Sequence, residues 1–297
     1  IVLTNADREV MLTHYARMKN LGTVVEQGLM VYDDAQDKFI KLRELDLKEH
    51  WRFPAGHPFR WNETGTDYFV FARPFAVVRV KADWQSVTNP AAYEAFTCLA
   101  TNSTEENPIV KRDAAGKAVW QWRTNANPVG QKQERDLVNR RLLKPDEARY
   151  QLTDADSGQP VEMHHASIHW NDYLKRWILI GVQTGGRSFL GEVWFATAET
   201  PFGPWRQAKR IVTHEKYSFY NPAQLPFFDE DGGRYVYFEG TYSRTFSGND
   251  HPTPLYDYNQ MMYRLDLSDP HLNFGAKRYS RQTGSIFAVR ISSAASR

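Results

Sequence analysis

Short apolar runs recur along this chain, and turn-forming residues separate them. The clearest set lies between Glu162 and Leu267. Each run is rich in β-branched and aromatic residues and ends near Gly, Pro, Asn or Asp, which is the pattern of a strand closed by a turn. The predicted strands in this region are 164–170, 176–183, 191–198, 204–212, 221–228, 234–239 and 256–266. The pattern therefore predicts two consecutive copies of one antiparallel sheet.

The same unit recurs earlier in the chain with less regularity. Residues 54–99 match it well, whereas residues 9–46 match it without a first strand. The run 285–291 could supply that missing strand and close a ring of sheets, and the alternative is a strand upstream of this chain. Residues 100–160 fit poorly: we expect a hairpin over 109–122 and a helix over 131–143, with Pro145 as a stop signal. Repeated sheets of this size form the blades of a β-propeller.

One motif carries a resemblance to a known family. The run from Glu192 to Trp205, which ends in Gly203-Pro204-Trp205, resembles the blade ending of the five-bladed β-propeller glycoside hydrolases, the superfamily of arabinanases, β-xylosidases and invertase-like enzymes. In that ending the Gly-Pro pair turns the chain and the Trp packs between blades. The stretch from Tyr217 to Leu267 also resembles an uncharacterised bacterial branch of similar propeller proteins.

The fold prediction combines the repeats with this resemblance. We expect an all-β chain, a five-bladed β-propeller of antiparallel four-stranded blades. Residues 1–297 would form a single domain, with a less regular insertion at about 100–160. The resemblance implies a carbohydrate-active enzyme, a glycoside hydrolase acting on an oligo- or polysaccharide in the central funnel by carboxylate acid/base catalysis.

The amino-acid composition limits which classes of partner the protein is expected to bind. The 37 basic residues are scattered among 35 acidic ones, giving a formal charge of +2, so the sequence predicts no nucleic-acid-binding face. Nine Trp and fifteen Tyr residues could stack on sugar rings, although propeller blades are aromatic-rich for packing reasons alone. No apolar stretch is long enough to span a bilayer.

Cysteine content and the start of the chain bear on its location. The single Cys98 cannot form an internal disulfide and lies in a predicted apolar strand. The chain begins at Ile1 without Met, so a leader could have been removed. We expect a secreted or periplasmic protein, and a cytoplasmic one is the alternative.

Polar residues stand where the repeat places strand ends facing the funnel mouth. At the starts of inner strands these are His57, His164 or His165, and Asn221; at the ends of second strands, His14, Arg73, Gln183 and Glu239; at the openings of third strands, Glu26, Glu192 and Asp257. Glycoside hydrolysis needs two carboxyl groups that flank the scissile bond. The candidate catalytic residues are therefore Glu239 and Glu192, followed by Glu26 and Asp257.

The candidate binding residues are the other polar groups at these ends. We expect His57, His165, Asn221, Arg73, Gln183 and His14 to contact substrate. In the similar hydrolases the catalytic carboxylates come mainly from the inner strands of the early blades, where this chain has His57 and His165 and only Glu162 lies nearby. This departure keeps open a sugar-binding propeller without catalysis, and a polysaccharide lyase that uses His, Tyr and Arg.

Each candidate also has a structural alternative. Glu239 could cap a turn, Glu192 could pair with Arg187 or Arg244, and Asp257 could bind backbone amides. The histidines could be satisfied structural groups. The acidic run Asp154–Gly158 faintly resembles a calcium loop, but an Asp-rich turn is the preferred interpretation.

Four of the predicted groups should meet near the axis. His57, His165, Asn221 and Glu239 would form one polar cluster that shares water, a sugar or a divalent cation, since buried polar groups need partners. Calcium fits mostly oxygen ligands, and zinc or another transition metal fits if His57 and His165 both bind. No cofactor is certain.

Overall fold

The computed structural model describes residues 1–274 except Leu21, Ala55, His57, Ser188, Glu215, Phe246 and 254–256. Strands dominate the described residues, which fall into two compact units, Ile1–Ala148 and Arg149–Arg297. Each unit contains two sheets. That the chain forms a single domain stays a prediction.

The first sheet contains a strand that the sequence analysis missed. Its order is β1 (Val2–Asn5), β2 (Arg8–Asn20), β3 (Thr23–Asp33) and β4 (Lys38–Glu44). The prediction of a blade without its first strand is wrong, because Val2–Asn5 pairs antiparallel with the start of β2. The alternating pattern of this four-residue strand is too short to stand out. The proposed closing run 285–291 lies outside the described residues.

The second sheet joins the predicted unit to part of the irregular region. Its strands, in order, are β5 (Pro58–Glu63), β6 (Thr66–Ala72), β7 (Ala76–Lys81), β8 (Glu94–Thr97) and β9 (Gln121–Arg123). Between β7 and β8 lies the short helix α1 (Trp84–Val87). The apolar faces of the first two sheets share a core that includes Leu12, Phe71 and Val80.

The irregular region keeps the predicted helix in a shorter form. Helix α2 covers Gln131–Asn139 and ends at Arg140, although the sequence predicted it to residue 143. Leu137 and Leu143 pack with Val129 and Cys98 in a small core. Burial raises the pKa of the Cys98 thiol to about 12, so this cysteine is a packing group rather than a nucleophile.

The third sheet follows the sequence prediction most closely. Its strands are β10 (Thr153–Asp154), β11 (Met163–Asn171), β12 (Arg176–Gln183), β13 (Glu192–Ala198) and β14 (Gln207–Thr213), in the order β10-β14-β13-β12-β11. Gly203 adopts φ 79° in the turn before β14, and a Cβ there would lie 2.8 Å from the Trp205 nitrogen. Trp205 itself is fully buried.

The fourth sheet has three strands among the described residues, β15 (Ser218–Gln224), β16 (Tyr235–Ser243) and β17 (Tyr258–Asp266). Ile180 and Phe195 of the third sheet share a buried cluster with Phe219 and Phe238 of the fourth. Short 3-10 helices complete the described elements: Leu47–Arg52, Pro90–Ala92, Pro226–Phe228, Asp231–Gly233 and Pro270–Leu272.

The four sheets of the described residues are mostly antiparallel meanders, which is the unit of a propeller. The expectation of uniformly four-stranded blades is wrong, since the sheets have four, five, five and three strands. A fifth blade is not among the described residues and stays a prediction. No helix in the described part of the chain is long and apolar enough to cross a membrane.

Candidate functional site

Gln183 and Glu192 meet at one end of the third sheet, as predicted. Gln183 is the last residue of β12 and Glu192 is the first residue of β13. The antiparallel pairing of these strands brings both residues to the same end of the sheet. The indole Nε1 of Trp194 donates a hydrogen bond of 2.8 Å to Gln183 Oε1. These residues form the first candidate site, which we call the third-sheet end.

Glu192 is a buried and fully satisfied carboxylate. Its residue is 2% exposed. Oε1 accepts a hydrogen bond from Thr213 Oγ1 at 2.7 Å, and Oε2 accepts one from Arg210 Nη1 at 3.2 Å. The salt bridge foreseen as the structural alternative therefore exists, with Arg210 as a partner that the sequence analysis did not name. Arg210 of β14 lies close enough to pair with Glu192 because it stands opposite Trp194, two residues after Glu192 in β13.

A cleft of about 270 Å³ opens beside this end of the sheet. Its walls include Asp154, Gln183, Arg187, Glu192, Trp194 and Arg210. Gly186 has φ 104°, and a Cβ there would lie 2.7 Å from Glu192 Cγ. Glycine at 186 therefore lets the loop after β12 close over the carboxylate.

Glu239 does not end its strand as predicted. β16 continues to Ser243, so Glu239 is its fifth residue and pairs with Ala223 on one side and Met262 on the other. Thr241 and Ser243 continue the alternation of the strand, and Gly240, which directly follows Glu239, suggested an end. Glu239 is half-buried and forms no hydrogen bond or ion pair with another described residue.

Aromatic side chains flank Glu239 on its own face of the sheet, which we call the Glu239 face. Side chains two residues apart in a strand share a face, so Tyr237 lies beside Glu239. Phe228 contacts Tyr237 with ring centroids 6.3 Å apart. Towards the other end, the hydroxyls of Tyr220 and Tyr258 are hydrogen-bonded to each other. Tyr258 is 60% and Met262 is 44% exposed.

Asn221 and Asp257 lie at the edges of the same sheet. Asn221 was predicted at the start of an inner strand but is the fourth residue of β15, in a bulge with φ 56°. Asparagine tolerates this left-handed conformation better than most residues. Asp257 immediately precedes β17, as predicted, and its Oδ2 accepts from Arg244 Nη2 at 3.2 Å rather than from backbone amides.

Glu26 belongs to a cluster of charges on the first sheet. It is the fourth residue of β3 rather than the first. Lys41, Tyr15 and Arg17 all donate hydrogen bonds to its carboxylate. These bonds, that from Lys41 first, lower the pKa of Glu26 to about 2, so Glu26 is ionised at any ordinary pH.

His14 is a half-buried residue in the middle of its strand. It is the seventh of the thirteen residues of β2, so its predicted place at a strand end is wrong. Its Nε2 lies 3.1 Å from the Tyr93 hydroxyl, and the edges of Phe53 and Phe71 contact the ring. Burial lowers the pKa of His14 to about 4, so the imidazole is neutral at pH 7.

Arg73 and His165 occupy the predicted strand ends, and His57 lies outside the described residues. Arg73 directly follows β6 and is exposed. His165 is the third residue of β11, opposite Val182. The predicted convergence of His57, His165, Asn221 and Glu239 stays a prediction. Of these four residues, Asn221 and Glu239 lie on neighbouring strands, because Glu239 pairs with Ala223, two residues after Asn221.

The calcium or zinc site considered from the sequence finds no set of ligands among the described residues. Groups of three or more His, Cys, Asp or Glu side chains able to hold an ion do not occur in the described ranges. The run Asp154–Gly158 forms the preferred Asp-rich turn: Asp154 accepts from the Asp156 nitrogen and from Ser157 Oγ. The Asp156 carboxylate binds Lys209 Nζ at 2.7 Å.

Two titratable residues of interest were missed. Burial raises the pKa of Asp229, which accepts hydrogen bonds from the Tyr237 nitrogen at 3.3 Å and from Gln224 Nε2 at 3.0 Å. His214 contacts the Gly191 carbonyl at 2.8 Å and the Tyr263 hydroxyl at 3.0 Å. The exposed Phe227-Phe228 pair before Asp229 was the available signal, but it was taken as the end of a strand.

Comparison with known proteins gives structural neighbours only. No protein-family model and no curated protein matches the chain. One solved neighbour is a candidate exo-beta-1,3-galactanase from Bifidobacterium bifidum, 14% identical over 89% of this chain, with a TM-score of 0.38; the chain spans 66% of its length. A thermostable family-43 glycoside hydrolase is 13% identical over 95% of this chain and 76% of its own, with a TM-score of 0.34.

A third neighbour was solved with a saccharide. The GH43_1 enzyme from Xanthomonas citri, complexed with xylotriose, is 11% identical over 89% of this chain and 85% of its own, with a TM-score of 0.30. These neighbours are glycoside hydrolases, but likenesses this weak carry no argument about the chemistry of this chain.

Proposed function

We propose that this chain is a glycoside hydrolase and that Glu239 is one of its two catalytic carboxyl groups. One observation carries the proposal: among the four predicted acids, Glu239 is the one whose carboxylate has no cation or hydrogen-bond donor among the described residues. Glu26, Glu192 and Asp257 are each paired with Arg or Lys side chains. A carboxylate left unpaired on an aromatic face is available to a substrate.

The Glu239 face has the composition of a sugar-binding surface. Aromatic rings stack on the apolar faces of sugars, and polar groups between them bind hydroxyls. Tyr237 lies on one side of Glu239. The Tyr220–Tyr258 pair lies on the other, near Thr241, which pairs with Tyr220 and donates to Gln260 Oε1 at 3.3 Å. A glycan lying along β16 would pass over Glu239.

Asp229 is the best second carboxyl group. Its carboxylate accepts from the nitrogen of Tyr237, and Glu239 follows Tyr237 by two residues, roughly 7 Å of strand. Burial raises the pKa of Asp229, which suits the group that donates a proton. In this proposal Asp229 is the acid, and Glu239 is the base that activates water.

The test is a screen of plant and algal polysaccharides for new reducing ends. With an active substrate in hand, Glu239→Gln and Asp229→Asn should each lower kcat by about 10²–10⁴-fold, the usual contribution of acid/base groups. Glu26→Gln is the matched control, because it removes an ionised carboxylate from the first sheet and should leave kcat within twofold. Full activity of Glu239→Gln would reject the proposal.

A sugar-binding protein without catalysis is the second candidate. The pairing of Glu26, Glu192 and Asp257 with cations favours it, because it removes three of the four predicted acids from chemistry. Calorimetry on the same panel separates the two functions: glycan binding with no new reducing end supports the binding protein. Secretion or a periplasmic location remains part of the proposal for either function.

A further inference from the structure

Gln224 is a buried amide that contacts the proposed acid, Asp229. We propose that Gln224 is a positioning residue for Asp229: its amino group holds one carboxyl oxygen in place and stabilises the carboxylate that remains after the proton has left. In that step the proton passes to the glycosidic oxygen as the bond from this oxygen to the sugar carbon breaks, while water, deprotonated by Glu239, adds to the carbon. The inference rests on the proposed function, since it concerns how Asp229 would act.

Both the third and the fourth sheet fix the position of Gln224. It is the last residue of β15 and pairs with Phe238 of β16. Its backbone nitrogen donates a hydrogen bond of 2.8 Å to Ser167 Oγ, in β11 of the third sheet. The side chain is therefore anchored at its root and buried along its length, so its amide is a rigid partner for Asp229.

Neutral donors, rather than cations, hold Asp229. Gln224 Nε2 donates to Oδ2 at 3.0 Å, and the Tyr237 nitrogen donates to Oδ1 at 3.3 Å. In the part of the chain that the structure describes, no Lys, Arg or His side chain acts on this carboxyl. A cation would keep it ionised, as Lys41 does for Glu26, whereas an amide fixes the carboxyl and leaves it able to carry a proton. Because the contact to Oδ1 is longer, Oδ1 is the better placed oxygen for that proton.

The other end of the Gln224 amide is costly to the fold. Its Oε1 atom is buried and accepts no hydrogen bond from the described residues. A buried polar atom without a partner destabilises the folded state, and an apolar side chain of the same size would avoid this loss. An amide at this position therefore serves Asp229 better than it serves stability, which is the pattern of a functional residue.

Gln27 shows what a structural glutamine looks like in the same chain. It is also buried, but both ends of its amide have partners. Nε2 donates to the Asp46 carbonyl at 2.8 Å, and Oε1 lies 3.4 Å from His50 Nδ1. Gln27 is therefore the matched control for Gln224.

The other titratable and charged groups around Asp229 stay constant when Gln224 is replaced. Glu230 and Asp231 follow Asp229 in the chain, and Arg234 pairs with Asp231 and Asp266. On β11, the residues that share the face of Ser167 include His165 and His169. A change in the titration of Asp229 then reports on the amide alone.

The experiment compares the parent with Gln224→Met and Gln27→Met by carbon-13 NMR of the Asp229 carboxyl and by urea denaturation. Gln224→Met should raise the pKa of Asp229, because the variant lacks a donor that favours the ionised form. It should also keep or increase the free energy of unfolding. Gln27→Met should lower the free energy of unfolding and leave the pKa of Asp229 as in the parent.

The pH profile of hydrolysis separates positioning from packing. On a polysaccharide that the parent cleaves, the alkaline limb of kcat/KM should move to higher pH in Gln224→Met, together with the NMR titration. kcat should fall by up to about 10²-fold, the effect of misplacing a reacting group by about 1 Å. Gln224→Glu is the second variant if Gln224→Met does not fold: a carboxyl in place of the donor should raise one pKa of the pair.

Three results would overturn the inference. They are an unchanged pKa of Asp229 in Gln224→Met, a loss of stability as large as that of Gln27→Met, and a pH profile that does not follow the NMR titration. Failure of the proposed function looks different: the parent would cleave no polysaccharide, although the pKa of Asp229 would still respond to Gln224→Met.

Discussion

Glu192 and Glu239 were predicted by the same repeat, yet their surroundings differ. Glu192 begins β13, is buried, and is held by Thr213 and Arg210. Glu239 lies within β16, is half-buried, and forms no ion pair or hydrogen bond with another described residue, although Arg264 lies on the same face opposite Tyr237. One carboxylate is bound by side chains of its own sheet, and the other has no such partner among the described residues.

The difference comes from the strand opposite each acid. Arg210 and Thr213 of β14 stand beside Glu192, whereas Met262 and Ala223 stand opposite Glu239. Cross-strand neighbours decide whether a charge is neutralised. A position within a repeat therefore predicts a polar residue but not its role.

Removal of the buried carboxylate should give the largest stability effect. Glu192→Gln leaves the contacts of Arg210 and Thr213 without their charged acceptor, so we expect a loss of about 2 kcal/mol in the free energy of unfolding. Glu239→Gln should change it by less than about 0.5 kcal/mol, as surface substitutions do. Urea denaturation of both variants measures the contrast. Equal losses would show that the two environments are energetically alike.

A smaller effect on stability is expected at His214, which connects the third sheet to the fourth. It contacts the Gly191 carbonyl next to Glu192 and the Tyr263 hydroxyl of the fourth sheet, and it stacks on Phe219. Burial lowers the pKa of His214 from its usual 6.5. Between the folded pKa and 6.5 the unfolded chain binds more protons, so stability falls as pH drops below about 6.5.

His214→Phe should remove this part of the pH dependence. We expect the unfolding free energy of the parent to fall relative to that of the variant between pH 7 and pH 5. Urea denaturation at several pH values measures it. Glu192 and Tyr263 are the titratable groups nearest the imidazole, and both remain in the variant. A difference that does not change with pH would show that His214 titrates normally.

Glu26 gives the smallest effect and serves as a reference for paired carboxylates. The hydrogen bond from Lys41 is the largest cause of its low pKa, so Lys41→Met should raise the pKa of Glu26. Because the cluster is exposed, stability should barely change. Carbon-13 NMR of the Glu side chains follows the titration. An unchanged pKa would mean that Tyr15 and Arg17 hold the carboxylate without Lys41.

The sequence predicted the sheets better than the site. β12 has the predicted bounds and β13 begins one residue later than predicted, because apolar alternation ended by turn residues is a local signal. β1 was missed because four residues carry too little pattern, and β16 was cut short because Gly240 resembled a turn. Such errors arise where a strand is defined by its partner rather than by its own residues.

Site prediction was limited by distance along the chain. The pairing of Glu192 with Arg210 joins residues 18 positions apart, and the low pKa of His14 depends on Phe53, Phe71 and Tyr93 around it. Asp229 became a candidate only when the fold placed it against the Tyr237 nitrogen. Residue type shows which groups can react, whereas tertiary contacts decide which ones do.

The most direct test of this contrast measures activity and stability on the same pair of variants. Glu239→Gln and Glu192→Gln are compared on the polysaccharide that the parent cleaves, at a temperature where both are folded. We expect Glu239→Gln to lose at least 10²-fold in kcat with near-parent stability, and Glu192→Gln to lose stability while keeping kcat within about tenfold. An active Glu239→Gln beside an inactive but folded Glu192→Gln would reverse the assignment.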